Sequence, residues 1–451
     1  MATFDKKAPG VYVEEISKLP PSVASVATAI PGFVGYTERG TKNTAIRVES
    51  LIDFEEKFGY ACKIAISDED KINGLEYKLH ESMRLFYANG GGICYVVSVG
   101  NYTDAISNTA LETGISMLEP IDEVTMIVVP DAVSLEIKDL ASVQNAALAQ
   151  CLELKDRVAI LDVKDTGNCN TDATNFRNSI GTKGASYGAA YYPYIKSVYD
   201  REINVYDIYK GLKLSDPELE YAQNYAVLSE PTEESTLFAK QLMSKPEYAK
   251  LVAKIQEQAN LLPPSGAIAG IYCANDNQRG VWHAPANMSV SGISDINVRI
   301  SDKQQGDLNE DTSGKCINAI RAFQGKGILV WGARTLDGLS SEWKYISVRR
   351  FFNYVEESIQ ESTAWAVFQP NDANTWVKVR CQIENFLSNL WRDGALAGST
   401  PQEAFYVRVG INQTMTAQDI LNGYMIVEIG MAAVRPAEFI VLQFSHKLQE
   451  S

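Results

Sequence analysis

The sequence predicts a mixed α/β chain of several domains: a central α/β domain, then a C-terminal α+β domain. Three observations carry that expectation. Residues 121–163 run strand, helix, strand: VTMIVVP (124–130), SLEIKDLASVQNAALAQCLEL (134–154) and RVAILDV (157–163). That spacing fits a βαβ crossover, and solid apolar runs suit parallel strands buried on both faces. The last third mixes helical stretches with strands that alternate apolar and polar residues. Finally, each end carries one lone strand set off by proline, VYVEEI before Leu19-Pro20-Pro21 and AEFIVLQFSHK after Arg435-Pro436.

The elements follow in order. Residues 1–21 are an extension strand and its proline-rich exit. Residues 22–120 form an N-terminal α+β region. AIPGFVGYTE and AIRVESL read as strands, and LIDFEEKFG as a short helix stopped by Gly59. A helix is predicted over 74–89, because Leu75, Leu79, Met83 and Phe86 recur at helical steps. Asn89-Gly90-Gly91-Gly92 ends it, and ICYVVSVG follows as a strand. Residues 121–315 are the central α/β domain. Within it GAAYYPYIKSV (188–198) is a third strand, Pro193 placing it at an edge or a strand end. Polar residues 203–262 are a surface insertion whose second half is helical and broken at Pro246. Residues 316–436 form the C-terminal domain. There GKGILVWGART is a strand, and WKYISVRRFFNYVEESIQESTAWAVF a strand running into a helix. TWVKVRCQIENFLSNLWRDGAL is a helix capped from Asn371–Asn374 and ended by Gly394, and AFYVRVGI and YMIVEIGMAAV are strands. Residues 437–451 are the C-terminal extension strand.

Composition bounds the function. The 451 residues are 45% hydrophobic, enough for roughly three domains. Acidic residues outnumber basic ones, 56 to 41, for a net charge of −15, which argues against a nucleic-acid surface. MATFDKK lacks the apolar core of a secretory signal, which implies a product made in the cytoplasm, and no 18-residue apolar run suggests membrane insertion. The seven cysteines are scattered and never two apart, which reads as reduced thiols and removes a cysteine zinc motif.

Tempting catalytic motifs lack their context. Gly184-Ala185-Ser186-Tyr187-Gly188 matches the G-x-S-x-G elbow of α/β-hydrolases, but that elbow joins a strand to a helix, whereas here it leads into a strand. A triad also needs a histidine, and only His80, His283 and His446 exist. The glycines at 90–92 and at 325 and 327 precede strands, the wrong order for a phosphate loop. Three dispersed histidines and the acidic loop Asp307, Glu310, Asp311 match no metal-site spacing. No cofactor is therefore expected. An enzyme using Ser186 remains the alternative from another class, and a structural filament protein a further reading.

PGVYVEE and AIPGFVGYTERG resemble the opening of contractile tail sheath proteins. PPSGAIAGIYCANDNQRGVWHAPAN (263–287) resembles a second hallmark of that family, and WGART, RRFFNYVEESI, FQPND, LWRDGALAG and PAEFIVLQF match its C-terminal domain. The similarity is co-linear and most resembles the sheath of an extracellular contractile injection system. It implies a multi-domain sheath fold that polymerises as rings or helices around an inner tube and contracts. The partners implied are further copies of the chain, the inner tube protein, baseplate and terminal cap proteins, and sister sheath proteins. The setting is a phage tail or a released phage-tail-like particle.

The resemblance also assigns residues. Val11, Tyr12, Val13 and Glu14, with Phe439, Ile440, Val441, Leu442 and Phe444, would be strands exchanged between subunits into a small sheet on a third. Hinges would lie at Ser17–Ser22 and Gly430–Pro436, at Leu19, Pro20, Pro21, Arg435 and Pro436. Arg349, Arg350, Glu356, Glu357, Lys378, Arg380 and Arg392 would face the tube.

Overall fold

The computed structural model describes residues 23–66, 72–203 and 232–439. The expected exchange residues Val11–Glu14, Ile440–Leu442 and Phe444, and the hinge residues Leu19, Pro20 and Pro21, lie outside the described residues. So does residues 204–231 of the insertion.

The strands are β1 (Pro31–Tyr36), β2 (Ala45–Val48), β3 (Ala65–Ile66), β4 (Ile72–Asn73), β5 (Cys94–Gly100), β6 (Met126–Val128), β7 (Val158–Asp162) and β8 (Gly188–Tyr192). They continue as β9 (Ile195–Ser197), β10 (Leu261–Leu262), β11 (Met288–Ser289), β12 (Ile293–Ile296), β13 (Ile317–Phe323), β14 (Gly327–Val330), β15 (Phe405–Val409) and β16 (Val427–Met431). Nine of them form one sheet in the order β11-β14-β13-β8-β7-β6-β1-β5-β2. From β13 to β5 the strands are parallel, while β2, β14 and β11 pair antiparallel at the flanks.

Alternate side chains of a strand face opposite ways, and the sheet uses both faces. Val158 and Ile160 of β7 join a core with Phe33, Phe86 and Tyr272. Ala159 and Leu161 join another with Val34, Leu140 and Leu148. Helices Leu51–Phe58, Leu79–Ala88 and Ser265–Arg279 contribute to the first core, and Asn108–Ser116, Ile137–Leu154 and Cys169–Ser179 to the second. The predicted βαβ crossover is present as β6, Ile137–Leu154 and β7.

Several boundaries differ from the expectation. Residues 22–120 are no separate region, because β1 sits between β5 and β6. The expected C-terminal domain from 316 begins too early: β13 pairs Ile317, Asn318 and Ala319 with Ala190, Tyr191 and Tyr192 of β8. Of the described residues, 26–356 with 434–439 form one compact unit, and 23–25 with 357–433 another. The helix expected over 74–89 starts only at Leu79, and that expected after 343 starts at Ile346 without a preceding strand. Pro193 ends β8, which lies inside the sheet. Pro246 divides the described part of the insertion into Glu233–Met243 and Pro246–Ala259.

PPSGAIAGIYCAND, given no element from the sequence, folds within the helix Ser265–Arg279 and the turn before it. Its glycines serve a close approach. A Cβ on Gly270 would lie 2.4 Å from the Phe86 carbonyl oxygen, and one on Gly266 2.6 Å from that of Ser82. The two helices therefore pack backbone against backbone, and larger residues would push them apart.

In the smaller unit the helix Ala373–Arg392 is capped by the Asp372 carboxylate, which accepts from the Asn374 and Thr375 amides at 3.0 Å. Val379, Ile383, Phe386, Leu387 and Leu390 form its buried stripe. β15 and β16 make a two-stranded antiparallel sheet, with Phe405 opposite Met431 and Val409 opposite Val427.

Candidate functional site

Ligands of open α/β sheets bind beyond the C-terminal ends of the parallel strands. Here that place is filled. Asp162, at the end of β7, accepts from the Ser265 amide at 2.9 Å. Asp131, after β6, accepts from the Tyr36 and Lys78 amides at 2.7 and 2.5 Å. The cavity between Ile127, Gln144 and Asp162 holds about 10 Å³, room for about one water and no substrate. Burial pushes both carboxyls up to about 7.

A carboxyl with a raised folded pKa holds its proton more tightly folded than unfolded. It favours the folded state below its unfolded value near 3.8 and loses that contribution as pH rises through about 7. Asp162→Asn is therefore expected to gain stability relative to the parent between pH 4 and 8. Melting curves across that range check it, and a constant difference would refute it.

Ser186 lies in a single 3-10 turn, Ala185–Tyr187, that runs straight into β8, the reverse of the strand–elbow–helix order. His80 is buried against Glu55 at 3.2 Å, and His283 is exposed beside Trp282. Among the described residues no hydrogen bond joins Ser186 to either, and no group of three potential ligands could hold a metal ion.

The distinctive chemistry lies where the terminal segments meet the larger unit. Arg350, 4% exposed, pairs both its terminal nitrogens with Asp276 at 3.0 and 2.6 Å and donates to the Thr28 carbonyl at 2.9 Å. Its guanidinium lies 4.7 Å from the Tyr272 ring centre. Cys273 Sγ reaches the Ala29 carbonyl at 3.3 Å, and the Ile30 amide donates to Thr125 Oγ1 at 2.9 Å. At the other end Arg334, 1% exposed, holds Glu438 through Nε at 2.9 Å and Nη2 at 2.7 Å. Tyr345 Oη and Asn309 Nδ2 donate to the same carboxylate at 3.1 and 3.3 Å.

These contacts correct two expectations. Arg349 and Arg350 do not face outward. Arg349 lies 4.0 Å over Trp343 and 4.8 Å over Tyr187 and donates to Asn353 at 2.8 Å, while Arg350 is paired with Asp276 as described. Gly430, where the expected hinge range starts, pairs with Tyr406 inside β16, which ends at Met431, and beyond the isolated bridge at Ala433 the backbone is irregular. Arg435 and Pro436 do lie in that irregular stretch. Glu356, Lys378 and Arg392 are exposed. Arg380 is half-buried, 3.8 Å from Glu384, and Glu357 is half-buried with interactions of its own. Phe439 is 71% exposed.

Arg334, Glu438 and Asp276 were missed as functional residues. Glu438 had a signal, being the one charge in AEFIVLQF. Arg334 and Asp276 had none beyond lying in WGART and CANDNQRG.

In the β15–β16 sheet both outer edges lack a strand partner among the described residues. Across it Tyr406 covers Gly430, where a Cβ would lie 2.2 Å from the ring, and donates to Glu428 at 2.8 Å. Arg408 stacks 4.6 Å from the Tyr406 ring centre. Such cross-strand groups fix the register of a pair that would be marginal alone.

Comparison with known proteins agrees with this picture. The phage tail sheath protein central domain matches residues 104–336, and the phage tail sheath C-terminal domain residues 340–447. The sheath complex of an extracellular contractile injection system, PVC, solved in its contracted state, is 31% identical, with a TM-score of 0.69 and 99% of each chain covered. The contracted helical sheath of the anti-feeding prophage is 30% identical at a TM-score of 0.66, covering 97% of this chain and 99% of that one. The tail sheath protein of Vibrio phage KVP40 is 23% identical over 42% of this chain, and the chain spans only 27% of that relative's length.

Proposed function

The chain belongs to the phage tail sheath protein family, and we propose that it is the structural subunit of a contractile sheath. It polymerises around an inner tube in an extended, metastable state and shortens to drive the tube through a target membrane. The observation that carries the assembly mode is the two-stranded β15–β16 sheet, whose outer edges have no strand partner among the described residues. Open edges invite strand addition. Two segments expected from the sequence to be strands, Val11–Glu14 and Phe439–Phe444 of neighbouring copies, would complete those edges by β-augmentation, with backbone hydrogen bonds giving strength and alternate side chains giving register. Head-to-tail contacts that do not close build a tube. The partners are other copies, the inner tube, baseplate and cap proteins, and sister sheath proteins, in a phage tail or a released phage-tail-like particle.

The subunit works without catalysis. The sealed strand ends and the reversed order around Ser186 support this, and the energy of contraction is stored in assembly. Purified chain assembled with its tube partner should give tubes of two lengths by electron microscopy. Tubes of a single length under every trigger would favour the non-contractile filament.

With Arg349 and Arg350 engaged inside the chain, the tube contact passes to the exposed Lys378 and Arg392 on the helix Ala373–Arg392. Reversing both to glutamate should weaken tube–sheath co-assembly about tenfold, equivalent to about 1.4 kcal/mol, with the melting temperature unchanged. Unaltered co-sedimentation with the tube would refute that contact.

A further inference from the structure

The two ends of the chain are moored to the larger unit by different chemistry. At the N-terminal end the moored groups are main-chain atoms of Thr28, Ala29 and Ile30. Backbone groups carry no charge to lose, and Arg350 is already neutralised by Asp276. At the C-terminal end one side chain, Glu438, makes every hydrogen bond of residues 434–439 among the described residues.

The socket for Glu438 is built in advance. Asn318 clamps the Arg334 backbone, accepting from its amide at 2.7 Å and donating to its carbonyl at 2.8 Å. Arg334 Nη1 donates to the Asn309 carbonyl at 2.8 Å. A second carboxylate, Glu310, waits 3.7 Å from Arg334 and is exposed. Breaking a buried ion pair is usually costly because one charge is left alone. Here Glu310 can take over the guanidinium, so Glu438 can leave without orphaning it. A cavity of about 640 Å³ beside the pair, lined by Trp331, Tyr345 and Phe439 among others, gives the segment room to move.

We propose that Arg334 and Glu438 form a releasable latch that sets the free length of the C-terminal arm. Latched, the chain is anchored as far as residue 438. Released, it is anchored only as far as Ala433, bridged to Leu396, and the difference of five residues adds about 17 Å of reach. A tether of two lengths keeps an exchanged strand seated while the spacing of subunits changes. That purpose rests on the sheath reading, whereas the latch itself can be tested in the unassembled chain.

The test places 4-fluorophenylalanine at position 439 of the full-length chain and records its fluorine resonance. Phe439 is exposed, so its line should sit near that of an unstructured peptide, but in the parent it should be broadened by its attachment to the anchored Glu438. Glu438→Gln should narrow it to the width of an unstructured peptide, and Tyr345→Phe should narrow it part of the way. Glu310→Gln should leave the parent line in place and make it more resistant to added salt, because the replacement partner is gone. A Glu438→Gln line identical to the parent overturns the latch. A chain that forms no tubes yet shows the narrowing overturns the sheath reading and leaves the latch standing.

Discussion

A chain lacking residues 1–22 is expected to fold normally and to form no tubes. The larger unit does not depend on that segment: β1 starts at Pro31, and the chain is already moored at Thr28 through Arg350 and at Ile30 through Thr125. Its melting temperature should stay within about 2 °C of the parent, because no buried apolar surface of the described core is removed. What the deletion takes away is the strand proposed to complete a neighbour's β15–β16 sheet. A strand added at an open edge acts through a continuous ladder of backbone bonds, so its loss should abolish assembly rather than weaken it. Electron microscopy of the shortened chain with its tube partner decides the matter. Normal tubes would overturn strand exchange.

The largest effect of a single substitution is expected at Arg350. Arg350→Met keeps the volume and removes the charge. Asp276 is then left 3% exposed without its cation, and the Thr28 carbonyl loses its donor. Removing one partner of a buried pair costs about 3–5 kcal/mol, mostly through the abandoned charge. Removing the second partner as well should recover much of that loss. Urea unfolding of Arg350→Met, and of Arg350→Met with Asp276→Leu, reads both values. A double variant no more stable than the single one would show that the pair's charge balance is not the cause.

The parts of this fold legible in the sequence were those specified locally. VTMIVVP and RVAILDV announced parallel strands because both faces of each are buried, and a run buried on both faces has no polar positions to blur it. Asp372 announced the start of its helix because a cap acts over three residues. The less legible parts depend on distant partners. Ile317–Phe323 carries the same apolar signal as other strands, but only its pairing with β8 shows that it belongs to the large sheet. The glycines of Ser265–Arg279 lower helix propensity, yet the helix forms because Gly266 and Gly270 let it lie against Leu79–Ala88. Arg349 and Arg350 were expected at the tube face from the family resemblance; arginines are mostly exposed, yet these are buried. Asp276, 74 residues away, and the rings of Trp343 and Tyr187 make their burial favourable. The proline-marked ends were visible, but their moorings were not, because Glu438 meets Arg334 across 104 residues.

The filled crevice at the strand ends has a mechanical consequence. In ligand-binding members of this architecture, that gap is where the ligand sits. Here Asp131 and Asp162 stitch across it with main-chain hydrogen bonds, and helices close over both faces of the sheet. With about 10 Å³ left there, the strand ends of the large unit have little room to flex. Displacement imposed on it must then appear at its margins, in the irregular chain around residues 434–438. Where other sheets of this architecture keep a cleft, this chain has a closed joint.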